Sequence, residues 1–256
     1  MNTIDFYAYQ SKLRYLNGGY KVLFSGLTLL LCMVLNDAWV SITVILVMGM
    51  MNLCGNHLKI REYLHLLKIP IAFLLLTSAA IIFGISTKPL GDYKVSFIGI
   101  YIYLNQQDVF RAFTLFLRAM GGVSALYLMA LSTPISELTI VLRKAHIPNL
   151  VIELMNMIYR FIFILTDVQK QLKIAAISRL GTVNFHTSCK SFGQIAGNLF
   201  LLSLKKADIY YDAMISRCYD GKLLFLEEEK KVSKTEGIGL FSWLMSLVII
   251  WYMGKA

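Results

Sequence analysis

Residues 150–181 read LVIELMNMIYRFIFILTDVQKQLKIAAISRLG, and the fold turns on how that stretch is read. Asn149 precedes it as a candidate N-cap, and Gly181 ends it. The spacing predicts one helix over about 150–178, roughly 40 Å long at 1.5 Å per residue. Its first half is nearly all apolar, from Leu150 to Leu165; its second half carries Asp167, Gln169, Lys170, Gln171, Lys173 and Arg179. Such a helix has a greasy root and a wet tip. The alternative is a membrane span over 150–165. That window is short for a bilayer core of about 30 Å, and it contains Glu153, Asn156 and Arg160. A span there would also put the basic residues that follow on the outer side, against the positive-inside rule.

Working outward, residues 182–188 read as a polar turn and a second long helix follows over about 189–217. Phe192, Ile195, Leu199, Leu202, Ile209 and Ala213 recur at helical spacing as its expected buried stripe. Asp220-Gly221 marks a turn after it, and 227–234 is a charged linker. Before the first long helix, Ser136 can cap a short helix over 137–145 that stops ahead of Pro148. The two long helices finish alike, in Ser178-Arg179-Leu180-Gly181 and in Ser216-Arg217-Cys218-Tyr219-Asp220-Gly221. An arginine there can dock in an acidic groove of a partner through its fixed fork of donors. It can equally be a favourable charge at a helix C-terminus.

The rest of the chain is membrane-like. Of 256 residues, 57% are hydrophobic and only 16% charged, against about a quarter charged in a soluble domain. Disordered and collagen-like classes are excluded by the same composition. The net charge of +10 reads as a topology signal beside spans, with no nucleic-acid partner implied. Four spans are expected before the long helices: 22–35, with Lys21 snorkelling to the headgroups; 38–55, after a tight Asn36-Asp37 turn; 70–85, opened by Pro70; and 109–131. Residues 87–107 read as a loop or interfacial piece. A fifth span covers 237–254, with Trp243, Trp251 and Tyr252 as interface anchors. The first 21 residues are too polar for the start of a cleaved signal peptide.

Basic residues alternate rich and poor across these loops, and fourteen lie between 132 and 236. Five spans with a cytoplasmic N-terminus satisfy the positive-inside rule throughout. The expected fold is thus an all-α integral membrane protein, with five spans and two long crossing cytoplasmic helices between spans four and five. The expected divisions are a four-span membrane domain at 1–131, a cytoplasmic region at 132–236 and a last span at 237–256.

Catalytic and metal chemistry find no foothold. There is no HExxH, GxSxG or phosphate loop, so the chain is read as non-catalytic and not itself an ATPase. Cys32, Cys54, Cys189 and Cys218 form no CxxC pair, with Cys32 and Cys54 expected as small apolar residues. His57, His65, His146 and His186 are scattered without ligand spacing, so no metal site and no cofactor are expected. A secondary metal transporter would need ionisable ligands within its spans. The candidates there, Arg111 and Arg118, repel cations and are expected to pair with backbone carbonyls or an acid, with a role at a substrate-subunit contact as the alternative. Glu153, Arg160 and Asp167, at heptad spacing, read as a polar stripe between two helices.

Five stretches carry a family resemblance: Ile4-Asp5-Phe6-Tyr7-Ala8-Tyr9 with Leu13-Arg14; Leu131-Ser132-Thr133-Pro134; 142–148; Tyr159-Arg160; and Lys206-Ala207 through Ala213-Met214 to Ser216 and Gly221. With them the chain resembles the transmembrane (T) component of energy-coupling factor importers, an ABC-type group. The opening Ile-Asp-x-Tyr-Ala-Tyr pattern favours the CbiQ-like cobalt or nickel branch over the vitamin branch. The family's coupling helices each end in Ala-Arg-Gly; here Ser178-Arg179-Leu180 and Ser216-Arg217-Cys218 stand in that place, keeping both arginines. The resemblance implies a scaffold in a bacterial or archaeal cell membrane. Its partners would be two cytoplasmic ATPase subunits or domains and a separate substrate-binding membrane subunit. It also implies ATPase coupling through Ser178, Arg179, Gly181, Ser216, Arg217 and Gly221, with Arg160, Ala213 and Met214 supporting the helices.

Overall fold

A computed structural model describes residues 3–56, 58–82, 84–86, 93–97, 100–104, 106–220, 230 and 234–255. The helices are α1 (Thr3–Gln10), α2 (Gly18–Leu35), α3 (Ala38–Gly55), α4 (Ile60–Ile82), α5 (Gln106–Ser132), α6 (Ile135–Lys144), α7 (Asn149–Ser178), α8 (Phe185–Ile215) and α9 (Lys234–Lys255), with a 3₁₀ turn at Lys12–Tyr15. Five of them, α2, α3, α4, α5 and α9, are long and apolar enough to cross a membrane. The chain is an all-α integral membrane protein in architecture, with one small sheet between α4 and α5. It divides into two compact units, Met1–Leu138 with Glu229–Ala256, and Thr139–Glu228.

In the first unit α5 is the central helix, packed by α1, α2, α3 and α4, while α9 lies on α2 and α3. Its buried face sets small residues, Ala112, Gly121, Gly122, Ser124 and Ala125, beside the larger Met120, Leu128 and Leu131. Lipid supplies no hydrophobic drive between spans, so close backbone approach and dispersion must hold them. A Cβ on Gly121 would lie 2.8 Å from Cys32 Sγ, so α2 depends on that glycine. The α2–α3 turn forms as expected. Asn36 takes a left-handed backbone (φ 47°), and Asp37 caps α3 by accepting from Trp39 N at 3.2 Å.

Several expectations are corrected here. Lys21 does not snorkel: its side chain is 4% exposed and ion-paired to Glu137. The third span does not open at Pro70; α4 starts at Ile60 and carries Pro70 inside it. Proline lacks the N–H that would bond the Leu66 carbonyl four residues back. The Tyr127 hydroxyl donates to that carbonyl at 3.0 Å instead, so the helix runs on. Trp243 and Trp251 donate to Thr28 Oγ1 and the Leu35 carbonyl, both at 3.0 Å, and Tyr252 is exposed. Cys32 is buried but Cys54 is exposed.

Between α4 and α5 lie three short strands, β1 (Gly84–Ser86), β2 (Tyr93–Phe97) and β3 (Ile100–Leu104), in antiparallel order β1-β3-β2; β2 and β3 fall in the stretch expected as loop or interfacial, and β1 takes up Gly84 and Ile85, expected as the end of the third span. Phe97 pairs with Ile100 and Tyr93 with Leu104. The physical reason is the run of alternating β-branched and aromatic residues, Ile100-Tyr101-Ile102-Tyr103, which favours a pleated strand.

In the second unit α7 and α8 form an antiparallel helical hairpin. Near the connection Ser191 Oγ donates to the Gly181 carbonyl at 2.8 Å; at the far end Phe161 and Tyr210 meet edge to face at 5.5 Å. α8 begins at Phe185, four residues before its expected start. Asn184 and Thr187 form a capping box that claims the end of the polar turn. α7 starts at Asn149 itself, with Pro148 in the cap position and no side-chain cap bond. The expected stripe on α8 is also corrected. Phe192, Leu202, Ile209 and Ala213 are exposed, and the half-buried side is Ser191, Ile195, Leu199, Ser203, Lys206, Tyr210 and Met214. These recur at three- and four-residue steps, as one face of a helix must.

Candidate functional site: the two arginine helix ends

The backbones at the ends of α7 and α8 close with the same pair of hydrogen bonds. At the first, Leu180 N donates to the Ile177 carbonyl at 3.0 Å and Gly181 N to the Ala176 carbonyl at 2.9 Å. At the second, Cys218 N donates to the Ile215 carbonyl at 3.0 Å and Tyr219 N to the Met214 carbonyl at 3.1 Å. This bond pair is the Schellman motif, and it needs a left-handed residue after the cap. Leu180 (φ 58°) and Cys218 (φ 61°) supply it. Each arginine is therefore the last residue before the chain reverses its hand. Serine precedes each, its hydroxyl turned back to the helix: Ser178 Oγ to the Ile174 carbonyl and Ser216 Oγ to the Ala213 carbonyl, both at 3.0 Å. That removes the serine hydroxyls from competition and leaves the guanidinium groups outermost.

Arg179 and Arg217 are exposed, and among the described residues neither is ion-paired. Each sits where unpaired carbonyls favour a cation. Because the hairpin is antiparallel, they lie at its opposite ends. From Ser191, beside the first tip, to Arg217 is about 40 Å along the α8 axis. Gly181 is needed where it stands. A Cβ there would lie 2.9 Å from the Ala176 carbonyl and run into Ser191 Oγ. Gly221 lies outside the described residues.

The expected supporting residues are placed as follows. Arg160 donates through Nη1 to the Tyr210 hydroxyl, and its guanidinium lies 5.8 Å from the Tyr210 ring centre. Met214 is half-buried toward α7 and lends its carbonyl to the second helix end; Ala213 is exposed and lends its carbonyl to Ser216. Tyr210 was not anticipated, although a tyrosine four residues before Met214 on the same face is the signal for it. The Glu153–Arg160–Asp167 stripe does not hold together: Glu153 is buried, Arg160 bridges to α8, and Asp167 faces outward with Lys170 at 3.2 Å. The hairpin also shows much bare apolar surface, including Leu154, Ile158, Phe192, Phe200, Leu201 and Leu204. Patches of that kind mark interaction surfaces.

Arg118 does pair with a carbonyl. It donates to Met33 O through Nη2 and to Asn36 Oδ1 through Nη1 at 2.9 Å, tying α5 to the α2–α3 turn; Arg111 is exposed. Among the described residues no cluster of three metal-ligating side chains occurs. His65, His146 and His186 are exposed, and His57 lies outside the described residues. At the opening motif, the Tyr7 phenol is pushed above its ordinary range by lost hydration and then by the Glu62 carboxylate. A polar string missed by sequence reasoning joins the N-terminal segment to the spans. Ser11 Oγ donates to Asn56 Oδ1 at 2.5 Å, Asn56 Nδ2 to Asn52 Oδ1 at 3.0 Å, and Asn52 Nδ2 to the Met48 carbonyl at 3.0 Å.

Five helices long and apolar enough to span a membrane, with a helical hairpin that carries an arginine at each end, describe a multi-pass membrane protein. The chain belongs to the CbiQ family, described as cobalt transport protein, whose profile it matches over residues 10–230. It is 31% identical to an uncharacterised protein of Methanocaldococcus jannaschii, over 99% of this chain and 94% of the relative. It is 26% identical to the cobalt transport protein CbiQ of Salmonella typhimurium, over 86% of this chain and 98% of that protein. A putative fused cobalt transport protein CbiMQ of Methanocorpusculum labreanum is 31% identical over 72% of this chain and 31% of its own length.

Proposed function

We propose that the chain is the coupling subunit, or T component, of an ATP-driven energy-coupling factor importer for cobalt or nickel. On this reading it is non-catalytic. Its N-terminus and the α7–α8 hairpin are cytoplasmic, and it works between two ATPase subunits and a substrate-binding membrane subunit. The observation that carries the proposal is the repeated helix end: the same Schellman geometry, serine and exposed arginine at both ends of one hairpin. Two like ATPases need two like seats, and a rigid hairpin provides them some tens of ångströms apart. Cargo cobalt follows from the names of the family and of the relatives, and the fused CbiMQ relative suits a partner subunit in the same membrane. The bare apolar surface of the hairpin suits the partner that must feel its motion. ATP-driven movement reaches that partner only if the hairpin's contacts favour one ATPase state over the other.

The test is co-purification of ATPase subunits from membranes expressing the complex. Arg179→Glu with Arg217→Glu should abolish their recovery while the chain still inserts in the membrane. Recovery equal to that of the unaltered chain removes the docking claim.

A further inference from the structure

The first unit buries an ion cluster at a particular place in the chain. Glu137 Oε1 accepts from Lys230 Nζ at 2.6 Å, and Glu137 Oε2 is ion-paired to Lys21 Nζ, also at 2.6 Å. Lys21 Nζ also donates to the Ser132 carbonyl at 2.8 Å. Side-chain exposure is 4% for Lys21, 12% for Glu137 and 23% for Lys230, so these charges are largely out of water. The site is shaped to admit them. Gly18 has no side chain where a Cβ would lie 3.0 Å from Glu137 Cβ, and Asn17 Nδ2 donates to the Lys230 backbone carbonyl while its Oδ1 caps α2.

The second unit is the segment Thr139–Glu228. Glu137 stands two residues before it and Lys230 two residues after it. The ion pair therefore joins the start of α6, by which the chain leaves the first unit, to Lys230, which follows its return. Lys21 fixes that pair to the first span, and the Ser132 carbonyl brings in the end of the fourth. Two such crossings left independent would let the inserted unit twist and absorb displacement. Breaking a buried charge pair leaves an uncompensated charge, so the closed arrangement resists being pulled apart.

We propose that Lys21, Glu137 and Lys230 form a neck clamp. They are positioning residues that bind the two chain crossings together, so that movement of the inserted unit is delivered to the membrane bundle. This rests on the coupling-subunit reading above. The clamp uses neither arginine of the helix ends, so it should matter for coupling and not for ATPase recovery.

The experiment uses the complete transporter in proteoliposomes, with radioactive cobalt uptake and ATP hydrolysis measured on the same preparation. Lys230→Met removes one arm and leaves the Lys21–Glu137 pair balanced and the Asn17 bond in place, so the chain should still assemble. Uptake per ATP hydrolysed should fall about tenfold, with ATPase subunits recovered in normal amount. Lys230→Arg, which keeps the charge, should restore the ratio to near that of the unaltered protein. Glu137→Gln removes both arms and should be at least as severe; if it does not assemble, the Lys230 pair of variants still decides. A Lys230→Met transporter with unchanged uptake per ATP overturns the clamp. So does a lowered ratio that Lys230→Arg fails to restore. If the unaltered chain recovers no ATPase and drives no ATP-dependent uptake, the coupling-subunit reading itself fails.

Discussion

Leu180 and Cys218 hold backbone angles that a side chain disfavours. A left-handed residue with a Cβ costs about 1–2 kcal/mol relative to the ordinary helical region, and glycine escapes most of that. Both residues follow an arginine, and both carry the bond that closes a Schellman turn. Leu180→Gly should therefore stabilise the end of α7 by about 1 kcal/mol, and Cys218→Gly the end of α8 by a similar amount. Slower hydrogen exchange of the closing amides, at 180 and 181 or at 218 and 219, is the measurement. Unchanged or faster exchange would show that the side chains hold the turns rather than strain them. The arginine's geometry should survive either change, since it is set by the turn and not by the residue after it.

At the scale of the element, Pro70 and Tyr127 form a compensated pair. Proline removes a donor from α4, and a hydroxyl from α5 replaces it. A buried carbonyl left without a donor costs about 1–3 kcal/mol. Tyr127→Phe should therefore lower stability by about 1–2 kcal/mol, read as an earlier thermal unfolding midpoint in detergent. Pro70→Ala placed in the Tyr127→Phe chain should recover most of that loss, because residue 70 then has its own N–H. No recovery would mean that the hydroxyl acts elsewhere. The same pair explains why α4 was read short: proline signals a helix start more often than a helix interior, and its rescue comes from a residue 57 positions further on. Spans α2, α3, α5 and α9 were legible because long apolar runs need no partner to identify them. The burial of Lys21 was not legible, because an isolated lysine beside a span snorkels by default and only the fold brings Glu137 to it. The face of α8 was misread for a related reason. The helix has apolar residues on several sides, and only contact with α7 selects Ile195, Leu199, Tyr210 and Met214.

At the scale of the molecule, the two arginine ends were visible as a repeated pattern, but their separation was not. Sequence placed Arg179 and Arg217 at two helix ends; antiparallel packing puts those ends apart, about 40 Å by the length of α8 from Ser191. One groove on one partner cannot span both. On the coupling-subunit reading each arginine serves its own ATPase copy, and the seats should fail one at a time. Native mass spectrometry of the detergent-purified complex without nucleotide should give two ATPase copies per chain for the unaltered protein. Arg179→Glu alone and Arg217→Glu alone should each leave one copy, and the double variant none. Nucleotide is withheld because ATP-driven pairing of the two copies could hold a copy that has lost its seat. Loss of both copies with either single change would mean that the seats are coupled, and that the hairpin grips a preformed ATPase pair rather than two separate subunits.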